Sequence, residues 1–243
     1  MSEKQAGTSR PTRIDAIGVI VPAADEQELL PRCLSALGRS RELVSGAGVR
    51  VRVVVVLDGC TDGSRAAVAG AGVETVTVAH RNVGRARAAG VEHLLRDTRA
   101  PARLWLASTD ADSEVPADWL TVMLDRASRG AHLVLGTVRP GLGLDPAVSR
   151  EWHRRHVLAD GHPYVHGANL GIRADLYCAL GGWSPLALGE DVDLVARASA
   201  RDGVRIVRTA AIPVRTSARL AAPAGGFAGY LRGLADDVDE MAG

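Results

Sequence analysis

The chain has 243 residues, of which 47% are hydrophobic and 23% are charged, and its formal net charge is +1. These values are ordinary for a globular protein and give no whole-chain argument for binding nucleic acid or an anionic membrane surface. Aromatic residues make up only 3% of the sequence, so a base-stacking platform for single-stranded nucleic acid is not expected. The length predicts one large α/β domain or two small ones.

The cysteine pattern and the first residues bear on the compartment. Cys33, Cys60 and Cys178 are far apart and form no C-x-x-C pair, which argues against a disulfide framework or a zinc site and is typical of a reducing compartment. Residues 1–13 are polar and lack the apolar core of a signal peptide, and no apolar run reaches the roughly 18 residues of a membrane span. We therefore expect a cytoplasmic protein without an integral membrane segment and with a disordered N-terminal tail.

The first half of the chain alternates apolar runs with helical patterns. In chain order, we predict a strand at residues 14–21, a helix at 26–37, a nearly all-valine strand at 49–57, a short helix from 61 or 62 to 68, a strand at 73–78, a helix at 82–95, a strand at 104–107, a helix at 118–129 and a strand at 132–138. This alternation with short connectors indicates a doubly wound, mostly parallel sheet. Later in the chain, short strands are predicted at 204–207 and 212–214, and a final helix at 229–241.

Polar clusters follow three of the predicted strands, at the carboxyl ends where open sheets of this kind bind ligands. They are Asp25-Glu26 after the first strand, residues 58–64 after the second, and Asp110-Ala111-Asp112 after the fourth. Asp58, the first residue after an apolar strand, is expected to point into the cleft, whereas Asp62 is interpreted as a turn residue and helix cap. No G-x-G-x-x-G follows the first strand, which disfavours a nicotinamide dehydrogenase.

Asp110 and Asp112 are separated by one residue at the point where the chain leaves the sheet. Both carboxylates can therefore turn toward the same point. Mg²⁺ and Mn²⁺ prefer oxygen ligands of this kind and share them with phosphate oxygens. The alternative is a loop in which an aspartate caps the following helix. The neighbouring polar clusters favour the metal site.

Glu190 and Asp191 open a predicted helix, whose free N–H groups and macrodipole stabilise an ionised carboxylate. A carboxylate that stays ionised in a cleft can act as a general base. Asp193 and Arg197 have the spacing of an ion pair along a helix and are interpreted as mainly structural.

Six segments, taken together, resemble the motifs of family 2 glycosyltransferases, which have the GT-A fold. In chain order they are residues 19–26 (V-I-V-P-A-A-D-E), residues 56–64 (V-L-D-G-C-T-D-G-S), Asn82-Val83-Gly84 with Arg87, the D-x-D of residues 110–112, residues 166–169 (H-G-A-N) and residues 190–194 (E-D-V-D-L) with Arg197. The resemblance implies a Rossmann-like, doubly wound sheet with a smaller mixed sheet on the acceptor side. We expect a single domain over residues 14–220, with a nucleotide-binding half (14–113) and an acceptor half (114–220), followed by a hinge near residues 221–226 and a helix within 221–243.

The resemblance implies the transfer of a sugar from a UDP- or GDP-type donor to a hydroxyl of a small-molecule or lipid-linked acceptor, usually with inversion and with Mn²⁺ or Mg²⁺. Asp112 would be the more direct metal ligand, and Asp110 would face the metal or the ribose. Asp58 would accept hydrogen bonds from the base, and Arg87 would approach the base or diphosphate, unless it is a helix-surface arginine. The implied nucleotide-sugar site comprises Pro22, Glu26, Asp58, Arg87, Asp110, Asp112 and Asn169.

In the acceptor half, the resemblance implies that Asp191 takes the proton from the acceptor hydroxyl, and that Glu190 orients it or binds the acceptor. His162 and His166 are candidates for contacts with the acceptor or diphosphate, with loop histidines as the alternative. An arginine-rich segment over residues 215–219 is a candidate to close over the diphosphate, because guanidinium groups match phosphate oxygens. A homodimer is also considered.

The sequence departs from the family pattern at several positions. Leu57 replaces the first of two paired acids, Ala24-Asp25 replaces Tyr-Asn, and no histidine beyond His166 is present to complete a metal site. Two other functions therefore stay open. One is a GT-A-like nucleotidyltransferase, although the acidic segment after the first strand would repel a triphosphate. The other is a catalytically silent, nucleotide-binding subunit.

Overall fold

The structure, a computed structural model, describes residues 13–46, 48–141, 143–219 and 226–242. Within these ranges the strands are β1 (Ala16–Ala23), β2 (Arg50–Asp58), β3 (Glu74–Val78), β4 (Leu104–Ser108), β5 (Ser113–Glu114), β6 (Leu133–Pro140), β7 (Leu170–Arg173) and β8 (Ile206–Thr216). The expected N-terminal tail, except Arg13, and the expected hinge at 221–226, except Gly226, lie outside the described residues.

The α-helices alternate with these strands along the chain. They are α1 (Leu30–Ser45), α2 (Ser64–Ala67), α3 (Val83–Leu95), α4 (Trp119–Ser128), α5 (Pro146–Arg155), α6 (Ala174–Ala179), α7 (Glu190–Ser199) and α8 (Gly226–Ala242). None of these helices, over the residues that the structure describes, is long and apolar enough to cross a bilayer.

The strands form one mixed sheet in the order β3-β2-β1-β4-β7-β6-β8-β5. The first four of these strands are parallel, as the alternation of strands and helices predicted. β7 is antiparallel to both β4 and β6, β6 is parallel to β8, and β5 is antiparallel to β8. The mixed portion expected on the acceptor side thus continues directly from the parallel portion, and the predicted fold class is confirmed.

β1, β2 and β4 are largely buried on both faces, whereas the edge strand β3 is only partly buried. Successive side chains of a strand point to opposite faces and so enter two different cores. Val19 and Val21 of β1 join the core formed with α1 and α4, whereas Ile20 joins the core formed with α3 and α7. α3 packs very close to the sheet at Gly90, where a Cβ atom would lie 2.7 Å from Ile20 Cγ2. Arg87, three residues earlier in α3, contacts Ser108 at the carboxyl end of β4.

Several element boundaries differ from the predictions. α1 begins at Leu30 because residues 26–29 form a turn and Pro31 occupies the first helical turn, where its missing N–H costs no hydrogen bond. The same helix continues to Ser45 because Ser40 and Val44 are buried. The strands predicted at 204–207 and 212–214 are one strand, β8, with an irregular register opposite residues 136–138.

Candidate active site

Two adjoining cavities open at the carboxyl ends of β1, β2 and β4. The smaller cavity, of about 580 Å³, is lined by predicted site residues that include Pro22, Glu26, Asp58, Asp110 and Asp112. The larger cavity, of about 910 Å³, is lined by Arg87, Asp110, Glu190 and Asp191, among others. Asp110 is one of five residues that line both cavities, so it lies at their boundary.

Arg87 extends from α3 into the wall of the larger cavity, next to the boundary residue Asp110. Its guanidinium is buried, with 2% exposure, and donates to Ser108 Oγ at 3.0 Å, to Asp110 Oδ1 at 2.5 Å and to Glu190 Oε1. The Cζ atom also lies 5.3 Å from the ring centroid of Trp183, within the range of a cation–π contact. Arg87 is therefore a buried site residue and not a helix-surface arginine.

Gly167 fits against this guanidinium and positions the catalytic candidate. A Cβ atom at residue 167 would lie 2.6 Å from Arg87 Nη2, so a side chain at this position would displace the arginine. The Gly167 amide donates to Asp191 Oδ2 at 2.7 Å, and the Val192 amide donates to Asp191 Oδ1 at 2.8 Å. Asp191 is thereby fixed in the wall of the larger cavity at the start of α7. Its neighbour Glu190 is buried, which raises the pKa of that carboxyl.

Glu26, Asp110 and Asp112 form a cluster of carboxylates in the smaller cavity. Burial, together with the charges of Asp110 and Glu26, raises the pKa of Asp112 to about 6. Asp112 Oδ1 accepts hydrogen bonds from Thr216 Oγ1 at 3.1 Å and from Ser113 Oγ at 3.3 Å. A site that concentrates negative charge in this way fits a divalent cation, because a cation relieves the repulsion between the carboxylates.

Arg219 supplies positive charge to the same cavity from the segment after β8. Its Nη2 atom donates to both carboxylate oxygens of Glu26, at 2.6 and 2.7 Å, and lies 3.9 Å from Asp112 Oδ2. One end of the arginine-rich segment therefore reaches the smaller cavity, and a guanidinium there is suited to binding phosphate oxygens.

Asp58 lies at the edge of the smaller cavity, but its carboxylate is already engaged. It is 3% exposed, and its oxygens accept hydrogen bonds from the amides of His80 at 2.6 Å, Arg81 at 2.8 Å and Asn82 at 2.8 Å. These contacts shape the turn that leads into α3. The structure thus gives Asp58 a clear role in holding the cavity wall.

Asn169 is not brought to either cavity. It is 0% exposed, and its side-chain amide donates to the carbonyls of Thr137 at 2.8 Å and Ile212 at 2.7 Å, while Oδ1 accepts from Trp119 Nε1 at 2.8 Å. The hydrogen-bonding groups of its side chain therefore link β6, β8 and α4. The expectation that Asn169 binds the nucleotide sugar is corrected by this placement.

A second acidic cluster lies beside the smaller cavity. Possible ligand atoms of Asp25, Cys60 and Asp62 lie within 4.8 Å of one another. Asp25 Oδ1, however, accepts from the amides of Thr61 at 2.6 Å and Asp62 at 3.3 Å, and Cys60 Sγ donates to the Ala23 carbonyl at 3.2 Å. These contacts explain the cluster as a hydrogen-bonded turn.

The sequence matches the Glycosyl transferase family 2 profile over residues 18–176. The chain belongs to glycosyl transferase family 2. None of the curated proteins matches it at a significant level.

Solved structures of other members of this family resemble the fold. The structure of S. aureus TarS 1–349 in complex with UDP is 12% identical, with a TM-score of 0.61, and the match covers 84% of this chain but only 61% of the TarS chain. Glucosyl-3-phosphoglycerate synthase from Mycobacterium tuberculosis, solved with Mn²⁺, UDP and glucosyl-3-phosphoglycerate, is 16% identical, with a TM-score of 0.58, over 98% of this chain and 84% of the synthase. At these levels of identity the likeness establishes the fold.

Sequence reasoning missed much of the larger cavity of this family 2 member. Its outer wall comes from α5, from the segment that precedes Gly167, and from α8. The unpredicted lining residues include Trp152, Arg155, His156, Tyr164, Leu188, Phe227 and Tyr230. One local signal was available, because His162, Tyr164 and His166 alternate along an extended segment and their rings stack.

Proposed function

We propose that this chain transfers a sugar from a nucleotide-sugar donor to a hydroxyl group of an acceptor, with inversion at the anomeric carbon. The observation that carries the proposal is the position of Asp110 between the two cavities, with Asp112 and Glu26 on one side and Asp191 on the other. A donor diphosphate on the first side and an acceptor hydroxyl on the second would meet at this boundary.

The smaller cavity is the proposed donor site, with Pro22, Glu26 and the Asp58 turn in its wall. The family assignment supports a nucleotide sugar, and the neighbouring structures solved with UDP and UDP-GlcNAc favour a UDP-type donor over a GDP-type one. Arg219 lies close enough to approach the diphosphate, and it would then give up its hydrogen bonds to Glu26.

Asp112 and Asp110 are the residues that would hold Mn²⁺ or Mg²⁺. The cluster of carboxylates supports this assignment, and so does the Mn²⁺ in the structure of the mycobacterial synthase. Such a cation, when bound, stabilises the charge that develops on the leaving diphosphate. Arg87 holds the Asp110 carboxylate in place through its hydrogen bond to Oδ1.

In the proposed reaction, Asp191 accepts the proton of the acceptor hydroxyl. The oxygen forms a bond to the anomeric carbon on the face opposite the diphosphate, the bond from that carbon to the phosphate oxygen breaks, and the nucleoside diphosphate leaves with the bonding electrons. The Gly167 amide orients the Asp191 carboxylate, and Glu190 acts as a positioning residue through Arg87. We place the reaction in the cytoplasm, since all three cysteines are free thiols.

Release of UDP or GDP from a panel of sugar nucleotides, with water as the acceptor and with or without Mn²⁺, tests this proposal. We expect one class of donor to be cleaved, and Asp191→Asn to abolish cleavage. Formation of pyrophosphate from a nucleoside triphosphate and a sugar phosphate would instead identify a nucleotidyltransferase. Binding of nucleotide without any cleavage or transfer would identify a silent subunit.

A further inference from the structure

Many of the aromatic residues of the chain line the larger cavity. The sequence contains four Trp, three Tyr and a single Phe. Half of them, namely Trp152, Tyr164, Phe227 and Tyr230, line this one cavity. In a protein so poor in aromatic side chains, this concentration at the site where the acceptor is proposed to bind indicates a specific binding surface.

The rings form a connected set, which we call the aromatic wall and define as Trp152, His156, Tyr164, His166 and Tyr230. Trp152 is 1% exposed and supports the wall from behind by its stacking on His156. The rings of Trp152 and His156 stack with centroids 4.4 Å apart, and His156 contacts Tyr230 at 5.2 Å and Tyr164 at 5.1 Å. Tyr164 in turn stacks on His166 at 6.2 Å. Since His166 directly precedes Gly167, the wall leads to the Asp191 carboxylate.

The charged groups of this cavity are largely neutralised. Arg155 is paired with Glu151 at 2.5 Å and with Asp237 at 2.9 Å. Arg87 is paired with Asp110 and Glu190. Both arginines in the described lining of the cavity are thus already matched by carboxylates.

The remaining lining supports the same conclusion. Val138, Val165, Leu188 and Val192 add apolar surface, and Leu188 and Val192 are exposed at 62% and 55%. Burial lowers the pKa of His166 to about 4, so this imidazole is neutral near pH 7. A phosphate or carboxylate group on an acceptor would find no unpaired cation among these residues.

We infer that the acceptor is an uncharged hydroxyl compound that stacks a ring on the aromatic wall and presents its hydroxyl to Asp191. This inference rests on the proposed glycosyl transfer and specifies its acceptor. Flat rings favour offset or edge-to-face contacts with other rings. The aromatic wall offers several neighbouring rings for such contacts. The acceptor therefore differs in class from phosphoglyceric acid, which the mycobacterial synthase was solved with.

Isothermal titration calorimetry of the full chain, with and without UDP and Mn²⁺, tests this inference with three probes. They are 4-nitrophenyl β-D-glucopyranoside as an uncharged ring compound, octyl β-D-glucopyranoside as a chain compound and 3-phosphoglycerate as an anion. We expect the nitrophenyl compound to bind most tightly and Tyr230→Ala to weaken its binding about fivefold. Leu43→Ala, a change at an exposed α1 residue that lines neither cavity, should leave the affinity unchanged.

A second variant tests the charge argument without removing any ring. Val192→Arg places a cation at an exposed position in the cavity lining and should raise the affinity for 3-phosphoglycerate by up to about fivefold. Tighter binding of 3-phosphoglycerate than of the nitrophenyl compound by the unmodified chain would overturn the inference. So would binding of the octyl compound alone, or binding of neither neutral probe. Failure to bind any nucleotide would count against the proposed function instead.

Discussion

The guanidinium of Arg87 donates a 2.5 Å hydrogen bond to the Asp110 carboxylate at the boundary between the two cavities. The same group pairs with Glu190, the residue before the proposed base. A single buried cation thus sets the relative positions of the proposed metal-binding and proton-accepting carboxylates.

Arg87→Ala should strongly destabilise the protein. Removing one partner of a buried charge cluster leaves the others uncompensated, at a cost of about 3–5 kcal/mol. Urea denaturation would measure this loss. The double variant Arg87→Ala with Glu190→Gln should recover part of the stability, because it removes one of the unpaired acids. Equal stability of the single and double variants would contradict this account of the cluster.

Asp191→Asn should lower sugar transfer by at least about 10²-fold, since the amide cannot accept the proton. The affinity for UDP should remain within about twofold, because the carboxylate faces the larger cavity and not the donor side. The exposed Asp202, on the turn after α7, supplies the control Asp202→Asn, which should keep full activity. A loss of UDP binding in Asp191→Asn with normal folding would place this residue in the donor site.

Asp112→Asn should make the free protein more stable at neutral pH and less able to bind UDP with Mn²⁺. The folded-state pKa of Asp112 is raised to about 6 from its usual 3.8, so the native state binds the proton more tightly than the unfolded chain. Stability contributed by this group is therefore lost as the pH rises from about 4 to 6, on the order of 3 kcal/mol. Urea denaturation of the unmodified chain and of Asp112→Asn at pH 3.5 and pH 7.5 should show a difference in the free energy of unfolding only at pH 7.5. An equal difference at both values would contradict the assigned cause.

The positions of the carboxylates could be predicted from the sequence, since strands are recognisable as apolar runs and parallel strands end at the same edge. Asp110 and Asp112 accordingly follow β4 and line the smaller cavity, whereas the place of Asp191 at the start of α7, in the wall of the larger cavity, does not follow from the strand ends. The role of Asn169 could not be predicted, because its partners are Trp119 and the carbonyls of distant strands. The contact of Arg219 with Glu26 likewise joins residues 193 positions apart, and only the tertiary fold brings them together.

Asn169→Ala should destabilise the fold by about 2–3 kcal/mol while leaving UDP affinity nearly unchanged. The substitution leaves the Trp119 Nε1 atom and the carbonyls of Thr137 and Ile212 without their buried partner. Urea denaturation and UDP titration at a temperature where the variant stays folded would separate the two effects. A large loss of UDP affinity without a loss of stability would restore Asn169 to the donor site.

Proton NMR of UDP-α-linked sugars incubated with the protein and Mn²⁺ tests the central claim most directly. It follows the loss of the donor, the appearance of UDP and the anomeric configuration of the released sugar in one experiment. The proposed mechanism predicts that the β anomer appears first, and that Asp191→Asn and Asp112→Asn both prevent its formation. Release of the α anomer, or cleavage that is undiminished in Asp191→Asn, would contradict it.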